Sequence, residues 1–284
     1  MTVPETTIVL CATPRSGSTL VCEDMRNTGV LGWPEEYFIP WDAQQPKDYS
    51  AILGRVVKQG QTSNGVFAIK IMASQLAQVA ACLSGQHLPR DPVGPAFADP
   101  FYQAFRQAQW VFIHRQDYIR QAISQVIAKQ TRINHATRQA TDKHFAGNLL
   151  KGYRQDYNQQ VVYDFDEIHH HFLKVVHGNA IWLKFFERHA IEPLRIEYVE
   201  QVEPKPDYLY PLAERVGVRL VDLPAQRTMV KLANQMNDEW SDRFVGELMQ
   251  REGQMVSRKG SSGVDEQRVS QPLVRASWLG RLFS

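Results

Sequence analysis

Within its first 130 residues the chain repeatedly runs from a short apolar segment through a few polar or turn-forming residues into a stretch with helical apolar spacing. Thr7-Ile8-Val9-Leu10-Cys11-Ala12 leads through a Pro/Gly/Ser turn to a segment with Leu20, Val21 and Met25 on one face. Residues 65–72 (GVFAIKIM) lead to 73–84, carrying Leu76, Val79, Ala80 and Leu83, and residues 109–115 (QWVFIHR) lead to 117–130, carrying Ile119, Ile123, Val126 and Ile127. An uninterrupted apolar run suits a strand covered on both faces, and strands that alternate with helices pair in parallel. The expected fold class is α/β: a P-loop-like, mostly parallel sheet with helices on both faces.

Further along, 131–162 are rich in polar residues and tyrosine with little periodicity, and read as a lid or acceptor-site segment. Asp164 to His189 reads as one long helix with Ile168, Phe172, Val175, Val176, Trp182, Leu183 and Phe186 at helical spacing; 194–199 reads as a strand and 207–216 as a helix. One domain is expected over 1–257, followed by a flexible basic tail, 258–284. The tail holds five Lys/Arg and two Asp/Glu of the chain's 32 and 30, so 27 basic residues face 28 acidic ones before it. A neutral body of this kind argues against nucleic acid as a partner. The tail's last residues combine Leu273, Trp278, Leu279, Leu282 and Phe283 with Arg275 and Arg281; they read as a short amphipathic helix for the protein's own body, a dimer partner or, as a weaker contact, a membrane surface.

No apolar run approaches the roughly 18 residues needed to span a bilayer, and the N-terminal MTVPETTIVL lacks the basic start of a secretory signal, so a cytoplasmic location is expected. Cys11, Cys22 and Cys82 are odd in number and lack C-x-x-C spacing, which fits reduced core thiols rather than disulfides or zinc.

The loop Thr13-Pro14-Arg15-Ser16-Gly17-Ser18-Thr19-Leu20 joins a buried strand to a helix N-terminus. Amides there, unpaired within the helix, form a phosphate nest that the helix dipole reinforces. Gly17 permits close approach, Ser16, Ser18 and Thr19 add hydroxyls, and Arg15 adds a permanent cation. Compared with G-x-x-x-x-G-K-[ST], Ala12 replaces the first glycine and Ser18 the lysine, and the strand ending at His114-Arg115 supplies no magnesium-holding acid. A phosphate-bearing donor used without metal fits this pattern better than a nucleoside triphosphate.

The loop resembles the 5′-phosphosulfate loop of sulfotransferases that use 3′-phosphoadenosine 5′-phosphosulfate (PAPS). More closely, the chain resembles the bacterial trehalose 2-sulfotransferase family, through Arg15 to Leu20, Thr28-Gly29-Val30, Gly32-Trp33-Pro34-Glu35-Glu36-Tyr37-Phe38, residues 65–72, His114-Arg115 with Gln121 to Ser124, Gln130-Thr131-Arg132, Glu192-Pro193 and Asp238-Glu239-Trp240. The resemblance covers roughly residues 6–245. It implies the sulfotransferase fold, PAPS as sulfuryl donor without metal, a sugar or glycolipid acceptor and a homodimer.

It also implies roles. Arg15, Ser16, Gly17, Ser18, Thr19 and Leu20 would hold the 5′-phosphosulfate, with Arg15 also catalytic; Arg115 and Ser124 would hold the 3′-phosphate, Arg120 lying one turn before Ser124. Glu36 would be the general base, in a partly desolvated pocket of Pro34, Tyr37 and Phe38, with Glu35 its competitor. Tyr37, Lys70 and Arg132 are further candidates for substrate binding, although Lys70 could instead point to water from its strand. Arg258-Lys259-Gly260 resembles a 3′-phosphate tripeptide of eukaryotic sulfotransferases. Consecutive His169, His170 and His171 point about 100° apart on a helix and read as a solvated face, and Trp182, Phe185 and Phe186 as core or dimer contacts. Two other functions stay open on the sequence: a P-loop kinase or nucleotide hydrolase, and a noncatalytic module that binds an adenine nucleotide.

Overall fold

The computed structural model describes residues 3–86, 95–202, 205–224 and 227–261. The expected strand–helix units are present. Strand β1 (Thr7–Ala12) is followed by α1 (Ser18–Thr28) and α2 (Tyr49–Gly60); β2 (Phe67–Met72) by α3 (Leu76–Ser84) and α4 (Asp99–Phe105); β3 (Gln109–His114) by α5 (Tyr118–Thr131). Two-residue strands β4 (His135–Ala136) and β5 (Leu149–Leu150) follow, then α6 (Phe165–Arg188), β6 (Leu194–Glu197), α7 (Leu209–Arg215) and α8 (Gln235–Ser261). The main sheet has the order β2-β1-β3-β6 and every pairing in it is parallel.

Period-two alternation divides the sheet's side chains between two cores. Val9, Cys11, Ile69, Ile71, Trp110 and Phe112 face a core completed by Leu53 and Val56 of α2, Phe101 of α4 and Trp182 of α6. Ile8, Leu10, Ala68, Val111 and Ile113 face the other, completed by Val21, Cys22 and Met25 of α1 and Leu209 and Leu212 of α7. All three cysteines are buried and free. Both faces are thus covered, which is why these strands read as continuous apolar runs.

Several boundaries follow from caps. Asp117 accepts from the Arg120 amide at the start of α5, and Asp164 from the Glu167 amide at the start of α6. The strand expected over 194–199 stops at Glu197, because Tyr198–Val202 turn into a single π-helical segment. Residues 73–75 form a 3₁₀ turn ahead of α3 rather than its first turn. Of the 131–162 segment, Thr131 ends α5 and the rest is irregular apart from β4 and β5, which pair in parallel. Trp182 lies in the core, its indole N–H donating to the Ala12 carbonyl at 2.9 Å.

The chain divides into two units, Met1–Phe244 and Val245–Ser284, and the second is described only as the continuation of α8 to Ser261. The amphipathic segment expected within 270–284 lies outside the described residues. Among the described residues no helix is long and apolar enough to cross a membrane.

Candidate active site

Strand order turns at β1, with β2 on one side and β3 on the other, so a crevice opens beyond the carboxyl ends of β1 and β3. The loop after β1 enters it in an unusual conformation: Arg15 has φ 66° and Gly17 φ 88°, both left-handed. Gly17 has a steric reason as well. A Cβ there would stand 2.0 Å from Cδ2 of Tyr198, so no larger residue fits beside that ring. From below, Gln121 donates to Thr13 Oγ1 at 2.9 Å and to the Pro14 carbonyl at 2.7 Å, while Gln125 also donates to that carbonyl at 3.1 Å.

The loop borders a cavity of about 510 Å³ lined by Arg15, Gly17, Ser18, Thr19, Leu20, Glu36, Arg115 and Ser124. Eight residues separated by up to 109 positions, singled out from sequence, therefore share one space. Ser16 is fully buried and not among the lining residues, and its hydroxyl has no hydrogen-bond partner among the described residues. The Arg15 guanidinium donates from Nε to Ser124 Oγ at 3.0 Å and from Nη1 to the Asn134 carbonyl. Burial, and more weakly Arg115, pull Arg15 below the ordinary arginine value. Arg115 stands over the Tyr198 ring at 5.5 Å. At the same strand ends, His114 Nδ1 lies 2.9 Å from a Glu197 carboxylate oxygen, fixing β3 against β6 just before these two side chains.

Lys70 does not point to water. It is 3% exposed, on the α1 side of β2, and its Nζ contacts Thr19 Oγ1 and Glu36 Oε1, each at 3.0 Å. Gln75 donates to the other Glu36 oxygen at 3.3 Å. The surroundings of Glu36 are therefore a cation and an amide rather than the apolar pocket expected, because Phe38 turns away to stack edge-on against Trp41 in the first core. Glu35 is drawn aside to Arg26 at 2.7 Å.

Three expected placements differ. Tyr37 is not among the cavity's lining residues, and its hydroxyl donates to the Trp33 carbonyl. Arg132, in left-handed conformation at the end of α5, is not among those lining residues; with Lys129, Asn148 and His171 it lines an adjoining cavity of about 430 Å³ that shares Pro14, Arg15 and Asn134 with the first. Arg120 pairs with Asp117 and Asp238, at 2.9 Å each, rather than joining Ser124.

Other lining residues escape a reading of the sequence: Tyr198, Asn134, His135, Arg138 and the run Met229 to Ala233, with Arg227 just before it. The position of Tyr198 past a strand's carboxyl end is the available signal; 227–233 have no periodicity to read. Burial, reinforced by Arg15, Lys70 and His144, pushes the His135 imidazole down to about 2, so it is a neutral hydrogen-bonding group in the cavity. Among the described residues no group of three or more His, Cys, Asp or Glu could hold a metal ion. Around the loop, then, the cavity has cations and a glycine cradle, which suits an anionic phosphoryl or sulfuryl group; a carboxylate stands on its border.

Residues 7–247 match the family described as Stf0 sulphotransferase. The trehalose 2-sulfotransferase of Mycobacterium tuberculosis (strain ATCC 35801 / TMC 107 / Erdman) is 27% identical over 279 residues, covering 84% of this chain and 94% of the relative. That of Mycolicibacterium smegmatis (strain ATCC 700084 / mc(2)155) is 27% identical over 285 residues, with the same coverage. A crystal structure of a sulfotransferase from Alicyclobacillus acidocaldarius aligns with a TM-score of 0.46 at 11% identity, over 87% of this chain and 93% of that one.

Proposed function

Because the chain belongs to the Stf0 sulphotransferase family, we propose that it transfers a sulfuryl group from PAPS to a hydroxyl of a carbohydrate or glycolipid, by direct in-line displacement and without metal. The observation that carries this reading is the single cavity shared by the Arg15 loop, the Arg115 and Ser124 pair and Glu36. Both relatives are named for trehalose, which makes trehalose the first acceptor to test.

On this reading PAPS supplies the sulfuryl group, and the chain supplies position and charge. Arg15, the loop amides and the Ser16, Ser18 and Thr19 hydroxyls hold the 5′ end; Arg115 and Ser124 hold the 3′-phosphate. Leu20, Tyr198 and Met229 add apolar surface to the same cavity. Glu36 takes the proton from the acceptor hydroxyl as its oxygen bonds to sulfur. Arg15 and the loop stabilise the charge left on the phosphate oxygen as its bond to sulfur breaks, each well-placed donor contributing about 3 kcal/mol in sites of this kind. Lys70 bridges Glu36 and Thr19, so the base is tied to the helix that carries the loop. The reading further takes 1–257 as the catalytic unit, with 258–284 as a tail that could touch a membrane surface weakly, and expects a cytoplasmic homodimer.

Calorimetric titration with 3′-phosphoadenosine 5′-phosphate and with ATP, each with magnesium and with EDTA, tests the donor. Tight bisphosphate binding in EDTA with weak ATP binding is expected; magnesium-dependent ATP binding alone would overturn the reading. Glu36→Gln should abolish turnover of trehalose and leave bisphosphate affinity within about threefold, as loss of a base differs from loss of binding.

A further inference from the structure

Two adjacent carboxylates on α1, Glu23 at 3% exposure and Asp24 at 0%, are not among the cavity's lining residues, yet both reach the segment that forms one of its walls. Glu23 Oε1 accepts from the Thr228 amide at 2.6 Å and the Thr228 hydroxyl at 2.5 Å, and the Met229 amide lies 3.3 Å from each of its oxygens. Asp24 accepts from Arg227 Nε at 2.9 Å and Nη2 at 2.8 Å, and from the Tyr208 hydroxyl at 2.6 Å. Burying charge is costly, and burial raises Asp24 above the usual carboxylate value despite these donors. A pair this expensive is poor evidence for stability alone, but both carboxylates hold a segment with no helix or strand of its own.

The opposite edge of that segment is also held. The Arg138 amide donates to the Thr228 carbonyl at 2.8 Å, the Val230 amide to the Ala136 carbonyl at 3.0 Å, and Tyr157 to the Leu232 carbonyl at 3.0 Å. Thr137 and Met229 form an antiparallel bridge beside β4. Residues 227–230 are thus a strap between α1, which begins at the phosphate loop, and the 131–162 segment, which contributes Asn134 and His135 to the cavity.

We propose that Glu23 and Asp24 are positioning residues: by latching the strap to α1 they hold the cavity wall in register with the phosphate loop, and so set substrate affinity rather than the chemical step. The proposal rests on the donor reading above, and two measurements keep the two apart. Hydrogen exchange reports the latch without any ligand. In Glu23→Gln and Asp24→Asn, amides of 228–230 should exchange faster than in the wild type while β1 amides remain protected; unchanged protection at 228–230 overturns the latch whatever the cavity binds.

Kinetics report its consequence. The donor KM, and the Kd for 3′-phosphoadenosine 5′-phosphate, should rise roughly 5- to 30-fold in each variant with kcat within about twofold. A fall in kcat at unchanged KM, or no change in either, overturns the proposal. If a carboxylate variant does not fold, Thr228→Val, which removes only the hydroxyl bound to Glu23, is judged by the same criteria, with Thr228→Ser expected to restore the wild-type KM. A wild-type protein that ignores the bisphosphate refutes the donor reading and leaves the exchange result to decide the latch.

Discussion

Replacing Gly17 by alanine separates two costs that the loop avoids. The first is conformational: a non-glycine residue at φ 88° costs roughly 1–2 kcal/mol. The second is crowding. The new methyl would sit 2.0 Å from Cδ2 and 2.6 Å from Cε2 of the Tyr198 ring, so either the ring or the loop has to move. Overpacking of this kind costs about 1–3 kcal/mol. Displacing the ring also weakens its contact with Arg115, about 0.5–1 kcal/mol more. Gly29 provides the control: it has φ 68°, and a methyl added there would meet nothing within 4 Å, so Gly29→Ala incurs only the first cost. The crowding falls on the groups proposed to hold the donor, and Gly17→Ala should therefore weaken 3′-phosphoadenosine 5′-phosphate by at least about 2 kcal/mol, or roughly 30-fold, in calorimetric titration. Gly29→Ala should lower the melting temperature modestly and leave that affinity within about threefold. Equal affinities for Gly17→Ala and the wild type would refute the argument, as would equal losses in the two variants.

Lys70→Met leaves Thr19 and Glu36 without their shared cation; because Glu36 is a quarter exposed, the loss is put at about 2–3 kcal/mol, seen as a roughly hundredfold drop in kcat/KM, and unchanged kinetics would exclude a role. His135 has a folded-state value of about 2, below its unfolded value of 6.5, so the unfolded chain binds the extra proton and stability falls as pH drops below 6.5. Urea unfolding should show about 2 kcal/mol lost from this group by pH 5. His135→Gln should flatten that limb, and parallel pH profiles would contradict the assignment. Trp182→Phe removes the indole donor to the Ala12 carbonyl and should cost about 1–2 kcal/mol in the same assay; no change would show that the bond contributes nothing net.

What can be read from the sequence depends on the range of the forces involved. Helix α6 is legible to within a residue at either end because its apolar spacing persists for 24 residues behind an Asp164 cap. Helix α2 escapes notice although Asp48 caps it and Leu53 and Val56 form its buried face, and α4, at seven residues, is too short for spacing to register. In the site, the Arg15 loop, Glu36, Arg115 and Ser124 can be found because loop chemistry and family resemblance mark them. Arg132, in left-handed conformation at the end of α5, lines an adjoining cavity that also borders Arg15. The strap is invisible: its position is fixed by Glu23 and Asp24, some 200 residues earlier, and nothing local to 227–230 announces it.

The buried thiols have a practical consequence. Cys11, Cys22 and Cys82 sit on β1, α1 and α3, each with little or no exposure, and burial pushes the Cys22 thiol up to about 11. Alkylating reagents attack thiolate, so the folded protein should present almost nothing to them. Each sulfur becomes reactive only when its own element opens, and Cys22 lies one turn into α1, the helix that follows the Arg15 loop. Its labelling rate, read with and without a nucleotide, is a built-in clock for how often α1 lets go of the sheet.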